Sequence, residues 1–347
     1  MPPGRSRHGS GFIRVPAVRG VMSVDSDDAP VAVIGAGTMG HGLAVQFARH
    51  GRSVALVDHR DSNLATAREQ IADAVAFLLE EGLIDIEPDT ILDRIEFTLD
   101  LEAGVADAEF VLETVSEELA VKHTVFEHIA NAAPADAILA SNTSGLSITA
   151  IAEGVPDAAD RIVGCHWWNP PYLMPLVEVV RGDRTSTAVL DRTEAVVESV
   201  GRDPIRVNAD VPGFVWNRIQ FAVLRECMHI VEEGIASIEA VDRAVRDGYA
   251  LRTATVGPFE TVDLSGLELF RDIAAELYPT LATDTTPSEL FSEYLDDGRS
   301  GVEAGAGFYE YDVSPTEAVR RRDERIAAIR RALGATPSER AADDDRA

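Results

Sequence analysis

Two residues set the first chemical question. His166 closes the apolar run RIVGC, and Glu178 lies inside a second apolar run, MPLVEVV. An ionised carboxylate in such a run is costly unless it is paired, and a histidine is the natural partner. A carboxylate on one imidazole nitrogen fixes the tautomer, raises basicity and leaves the other nitrogen to move a proton near neutral pH. The competing explanation is a satisfied core histidine beside a structural ion pair. A second group decides between them. Gly35, Gly37 and Gly40 are spaced G-x-G-x-x-G, and Thr38 and Met39 complete the loop GAGTMG. The apolar strand VAVIG runs into it, an amphipathic helix follows with Leu43, Ala44, Phe47 and Ala48 on one face, and the next strand, SVALVD, ends in Asp58. Gly35 permits the tight turn, Gly37 lets the backbone approach a pyrophosphate, and Gly40 lets helix and strand pack closely. The pyrophosphate then rests on the helix N-terminus. Asp58 accepts hydrogen bonds from a ribose diol and repels a 2′-phosphate, so NAD is expected over NADP, with Arg60 the one neighbour weighing the other way. Hydride transfer from an alcohol carbon also needs a base for the hydroxyl proton, which the cofactor cannot supply.

The elements that must position these groups follow from the same runs. RIEFTL, EFVLET, AILAS, RIVGCHWW and MPLVEVV read as further strands, and residues 62–80 and 119–132 as helices between them. Alternating β and α segments predict an α/β fold: a Rossmann-type, doubly wound parallel sheet. Its ligands sit beyond the carboxyl ends of the strands. Glu117 with Lys122, and Ser141-Asn142-Thr143-Ser144, fall at such ends, although helix capping accounts for the second group equally well. Pro212-Gly213 breaks the pattern. Beyond it Phe214, Val215, Ile219, Val223, Leu224 and Ile230 recur at helical steps, which predicts an all-helical C-terminal domain. We therefore divide the chain into a flexible extension at 1–29 (with Met22 an alternative start), a nucleotide-binding domain at 30–211, a helical domain at 212–312, and a charged helix and tail at 313–347. That last helix, about 315–334, is expected outside the core, and Trp167 and Trp168 are expected to pack behind His166.

Composition narrows the class. The net charge is −28, with 59 Asp+Glu against 31 Lys+Arg, and Lys122 is the only lysine. Such a field disfavours nucleic acid and anionic membranes. The bias resembles that of haloarchaeal proteins, whose high internal salt shortens the Debye length to about 3 Å at 1 M. No apolar run reaches a membrane-spanning length. Cys165 and Cys227 are too few for a disulfide framework and point to a reducing, cytoplasmic compartment. No His/Cys/carboxylate cluster has metal-ligand spacing, so no metal is expected.

The motifs together resemble the L-3-hydroxyacyl-CoA dehydrogenase family. VIGAGTMG (33–40), SNTS (141–144), HWWNP (166–170), LVEVV (176–180), PGFVWNR (212–218), GPFE (257–260) and GAGFYEY (305–311) follow that family's order, over roughly residues 30–312. The resemblance implies NAD as cofactor, His166 as general base, and Glu178 as its orienting partner. It implies that Ser144 and Asn217 bond the hydroxyl or developing carbonyl. It places Glu117, Lys122, Asn142 and Asn169 on the ribose and nicotinamide side, and it implies a homodimer whose helical domain closes the cleft. Three departures bear on substrate. Short-chain members hold CoA with a Ser and a Lys on the helix after the second strand, where this chain has Ala74 and Glu81. The segment before GAGFY carries Glu303 where a basic residue is usual. YALRTATVGPFE is longer than the family form and brings in Arg252, which resembles an arginine of relatives acting on free acids such as carnitine and gulonate; a guanidinium there clamps a carboxylate bidentately. The expected reaction is oxidation of an L-3-hydroxyacyl-CoA, with a short-chain one such as 3-hydroxybutyryl-CoA favoured. The alternatives are a free 3-hydroxy acid held by Arg252 and a non-catalytic dinucleotide-binding protein.

Overall fold

A computed structural model describes residues 29–333; the expected N-terminal extension and acidic tail lie outside the described residues. Eight strands form one sheet: β1 (Val31–Ile34), β2 (Val54–Val57), β3 (Ile95–Thr98), β4 (Phe110–Glu113), β5 (Ile138–Ser141), β6 (Ile162–Trp167), β7 (Leu176–Val180) and β8 (Asp203–Val207). Their spatial order is β3-β2-β1-β4-β5-β6-β7-β8. Seven helices accompany them: α1 (Gly40–Arg49), α2 (Asp61–Glu80), α3 (Pro88–Leu92), α4 (Leu101–Val105), α5 (Leu119–Ala132), α6 (Ile148–Glu153) and α7 (Thr187–Ser199). Leu43, Phe47, Ile71, Leu78, Leu190 and Val197, from α1, α2 and α7, are buried in one core cluster. Val105, Phe126, Ile129 and Ile151, from α4, α5 and α6, are buried in a second.

The sheet departs from the all-parallel expectation at one place. β7 runs antiparallel to β6 and sets His166 directly opposite Glu178. The short link from Trp168 to Pro175 leaves no room for the crossover helix that parallel neighbours need. β8 was not legible in the sequence because Pro204 argues against a central strand. It stands at the sheet edge, pairing only with β7, where a missing N–H is tolerated.

The C-terminal part is helical: α8 (Trp216–Glu232), α9 (Ile238–Ala244), α10 (Leu251–Thr253), α11 (Pro258–Ser265), α12 (Leu267–Leu277), α13 (Glu289–Asp296) and α14 (Pro315–Ala332). Large apolar side chains on α8, α11 and α12 stay exposed, among them Ile219, Phe221, Leu264, Leu267 and Phe259, the last 85% exposed. α14 corrects an expectation. Instead of standing outside the core, it packs on the nucleotide-binding domain. Ala327 is fully buried in the same cluster as Leu43 and Leu78, and Ile326 packs against it. Arg320 pairs with Glu80 of α2 at 2.7 Å. The charged sequence of this helix hid a narrow apolar strip.

Candidate active site

The glycine loop has the shape its spacing predicts. Gly35 has φ +105°, and a Cβ there would meet the Thr114 carbonyl oxygen at 2.8 Å. A Cβ on Gly40 would lie 1.8 Å from the Gly35 oxygen. Around Gly37, by contrast, a Cβ would meet nothing within 4 Å, and both Gly37 and Thr38 face solvent, so the open side of the loop is the one a pyrophosphate needs. Asp58 holds the turn: Oδ2 accepts from the Ala36 N–H at 2.9 Å, and Oδ1 accepts from the Arg60 N–H and the Asn63 amide at 3.0 Å each. These features fit a dinucleotide.

The group expected to handle the proton is continuous. His166 Nδ1 lies 2.7 Å from Glu178 Oε2, and the other oxygen of Glu178 accepts the Val215 and Trp216 N–H groups at 2.8 and 3.0 Å. Burial works against the charge on Glu178, but the bonds from His166, Trp216 and Val215 outweigh it and hold this carboxyl below its usual range. An ionised Glu178 keeps the proton on Nδ1 and leaves Nε2 as acceptor. Ser144 Oγ stands 3.1 Å from Nε2, and the Asn217 amide donates to the Ser144 carbonyl at 3.0 Å. The backbone donors to Glu178 are aimed by two successive left-handed residues, Gly213 at φ +77° and Phe214 at φ +48°. For a residue as bulky as phenylalanine that conformation stores strain. The Phe214 ring meets the imidazole edge-on, 5.7 Å between centroids.

Next to it lies a second buried network. Glu113 is fully buried and was missed from the sequence, where it reads as the end of an apolar strand. It accepts from Lys122 Nζ at 2.7 Å, from the Ser141 hydroxyl at 2.6 Å and from the Val115 N–H at 2.7 Å. Lys122, 1% exposed, also reaches Glu117 at 3.3 Å. Glu117 in turn binds the Thr143 hydroxyl at 2.5 Å and the N–H groups of Ser144 and Gly145 at 2.9 and 3.0 Å. Burial acts against the Glu117 charge, but the Thr143 bond, Lys122 and those N–H groups together hold its carboxyl low. The only lysine thus sits beneath Glu117 and not in the open groove, and the pair secures the loop that presents Ser144. The signal for this was available: a solitary lysine nine residues after a strand-terminal glutamate.

The remaining expected residues divide. Asn142 is buried, and its side-chain Oδ1 accepts from the Trp167 N–H at 2.8 Å. Asn169 is exposed, in a cis peptide with Pro170. Arg252 is exposed on α10, and no bond joins it to His166, Ser144 or Asn217 among the described residues. The two tryptophans do not share one task. Successive strand residues face opposite sides, so Trp167 enters the core against Phe47 at 5.7 Å. Trp168 stacks on Trp216 at 4.1 Å beside Asn217, and its buried Nε1 has no acceptor. Among the described residues, the ring that meets the His166 imidazole is that of Phe214.

A dinucleotide cradle beside a carboxylate-held histidine defines an NAD-dependent oxidoreductase. Residues 30–211 match the model of the 3-hydroxyacyl-CoA dehydrogenase NAD binding domain, and residues 213–311 that of the 3-hydroxyacyl-CoA dehydrogenase C-terminal domain. The chain belongs to the 3-hydroxyacyl-CoA dehydrogenase family. It is 36% identical to a probable 3-hydroxybutyryl-CoA dehydrogenase of Deinococcus radiodurans, over 80% of this chain and 99% of the relative. It is 32% identical to an L-carnitine dehydrogenase of Pseudomonas putida, over 87% of this chain and 93% of the relative. A solved structure of 5-formyl-3-hydroxy-2-methylpyridine 4-carboxylic acid 5-dehydrogenase, 31% identical, superposes with TM-score 0.81 and covers 89% of this chain and 99% of that one.

Proposed function

We propose that this protein uses NAD to oxidise the hydroxyl carbon of a small 3-hydroxy acid whose carboxylate is free. The observation that carries the choice of acid is the end of α2. Ala74, at a position where short-chain family members hold CoA, is buried in the core, and Glu81 is bound to Arg331 of α14 at 2.8 Å. The cations at this end, Arg331 and Arg320, are already paired with Glu81 and Glu80, which leaves them less available to a CoA phosphate. The carnitine and pyridine-carboxylate dehydrogenases among the relatives act, by their names, on small carboxylic acids.

In this reading NAD, held on the Gly35–Gly40 loop with Asp58 toward its ribose, supplies the hydride acceptor. The chain's own residues handle the proton. As the C–H bond gives up its hydride, the substrate O–H bond breaks toward His166 Nε2, and Glu178 stabilises the imidazolium that forms. Ser144 and Asn217 orient the hydroxyl and bond the developing carbonyl. Glu117, with Lys122 behind it, and Asn142 and Asn169 border the nicotinamide side. Arg252 clamps the carboxylate if closure of the helical part brings it in. The exposed apolar surface of α8, α11 and α12 is the face on which two copies pair as a homodimer.

A second reading keeps a short L-3-hydroxyacyl-CoA as substrate, supported by the family models and by the Deinococcus relative. A third, an inert nucleotide-binding protein, is disfavoured by the intact chain from Glu178 through His166 to Ser144. NAD reduction at high salt, with L-carnitine, L-gulonate and 3-hydroxybutyryl-CoA in parallel, separates the three. Turnover of a free acid is expected. Turnover of the CoA ester alone overturns the first reading, and no turnover with any of them favours the third.

A further inference from the structure

The start of α8 has no cap of its own. Val215, just before it, offers no side-chain acceptor to the free N–H groups of the first turn. Glu178 supplies that acceptor from β7: its Oε1 takes the Val215 and Trp216 N–H groups at 2.8 and 3.0 Å. The turn that aims them includes Phe214 at φ +48°, a backbone shape that persists only where the surroundings hold it. Two ring contacts hold it. The buried Phe214 ring stands edge-on to His166, and the Trp216 indole stacks on Trp168 with centroids 4.1 Å and planes 23° apart. Trp168 lies two residues beyond His166. Its buried Nε1 has no acceptor among the described residues, so stacking and not a hydrogen bond orients this indole.

These contacts close a circuit. His166 leads to Trp168 along the chain, Trp168 to Trp216 through the stacked rings, and Trp216 to Glu178 through its own N–H. Glu178 returns to His166 Nδ1 at 2.7 Å. Asn217, the next residue of α8, donates to the carbonyl of Ser144, whose hydroxyl faces Nε2. One aromatic contact therefore stands behind both sides of the imidazole.

We propose that Trp168 and Trp216 are positioning residues: their stack fixes the first N–H groups of α8 on Glu178 and so sets how tightly the His166–Glu178 pair holds a proton. The two N–H groups stabilise negative charge on the pair. Without the stack the turn relaxes, those bonds weaken, and the pair takes up a proton more readily. The pair titrates as a unit, so the shift belongs to both members. Among the described residues Glu178 is the ionisable side chain bonded to His166, and Glu117 with Lys122 reaches it through the loop that carries Ser144. The consequence for turnover rests on the proposed role of His166 as base; the consequence for the titration does not.

The test compares the full-length parent with Trp168→Ala, Trp216→Ala, the double variant and Trp216→Phe. The His166 ring titration is followed by NMR, with its signal assigned by its loss in His166→Gln, and the acidic limb of kcat/KM is measured alongside. Each single alanine variant is expected to move both midpoints up by about one pH unit. The double variant is expected to add little to either single one, and Trp216→Phe to restore most of the parent value. NADH affinity, read from the nicotinamide fluorescence, is expected to stay at the parent value. Should the alanine variants fail to fold, Trp216→Leu, which keeps apolar bulk without a stacking face, takes their place. An unmoved His166 titration in the folded variants overturns the proposal and leaves the indoles as packing alone. A moved titration with turnover surviving in His166→Gln upholds the proposal and overturns instead the reading of His166 as base.

Discussion

At the imidazole, the groups proposed to move a proton and those proposed to hold the cofactor rest on different supports. His166 touches Glu178, Ser144 and Phe214, while the glycine loop is built on Thr114 and Asp58. His166→Gln is therefore expected to lower kcat by about 10²- to 10⁴-fold while NADH binding, read by fluorescence titration, stays nearly unchanged. Survival of most of the turnover moves the base elsewhere. Asp58→Ala should do the reverse. It removes three bonds that shape the turn, so the KM for NAD should rise about tenfold or more with little change in kcat. Glu178 adds a pH dependence. Its carboxyl is held below the ordinary value of 4.5 in the folded chain. The linked stability is thus fully present above about pH 4.5 and is lost as pH falls through the lowered folded value. Denaturant unfolding of Glu178→Gln beside the parent should show a stability gap at neutral pH that narrows below that point. A gap independent of pH means that Glu178 is not ionised in the fold.

At the level of elements, legibility followed the kind of signal. VAVIG, GAGTMG and the helix after them could be read because strand, turn and helix each leave a local pattern. The pairing of His166 with Glu178 could be read because both stand out against apolar runs. The antiparallel turn of β7 could not, since direction depends on how the link after Trp168 is routed. β8 was masked by Pro204, Glu113 by the apolar residues before it, and the Trp168–Trp216 stack by the sequence distance between its partners. The division of labour between Trp167 and Trp168 was present in the two-residue period of a strand. α14 shows the reverse error, in which a high charge density was read as solvent exposure. Ala327→Arg tests its seat: forcing a long side chain into that fully buried position should destabilise the fold by about 1–3 kcal/mol, read by denaturant unfolding, with NAD affinity retained.

For the molecule as a whole, the charge of −28 sets the working conditions. Like charges repel across about 10 Å at 0.1 M salt and only about 3 Å at 1 M. The unfolding midpoint and turnover should therefore both rise between those concentrations; a flat or falling profile contradicts the salt-adapted reading. Pairing of two copies through the helical part is checked by sedimentation. Phe259→Asp, on the exposed apolar face, should shift a dimer toward monomer.

The turn at Gly213 and Phe214 joins the sheet to the helical part of the chain. Glu178 belongs to the sheet, yet two of its three bonds come from the start of α8, in the helical part. The strength of the base is thus wired to the docking of the other half of the chain. If α8 moves away, Glu178 is left buried with fewer donors, its proton affinity climbs, and His166 loses its counter-charge. Such a tether acts as an interlock. On the proposed role of His166, a chain with α8 displaced is expected to keep its dinucleotide affinity while losing turnover.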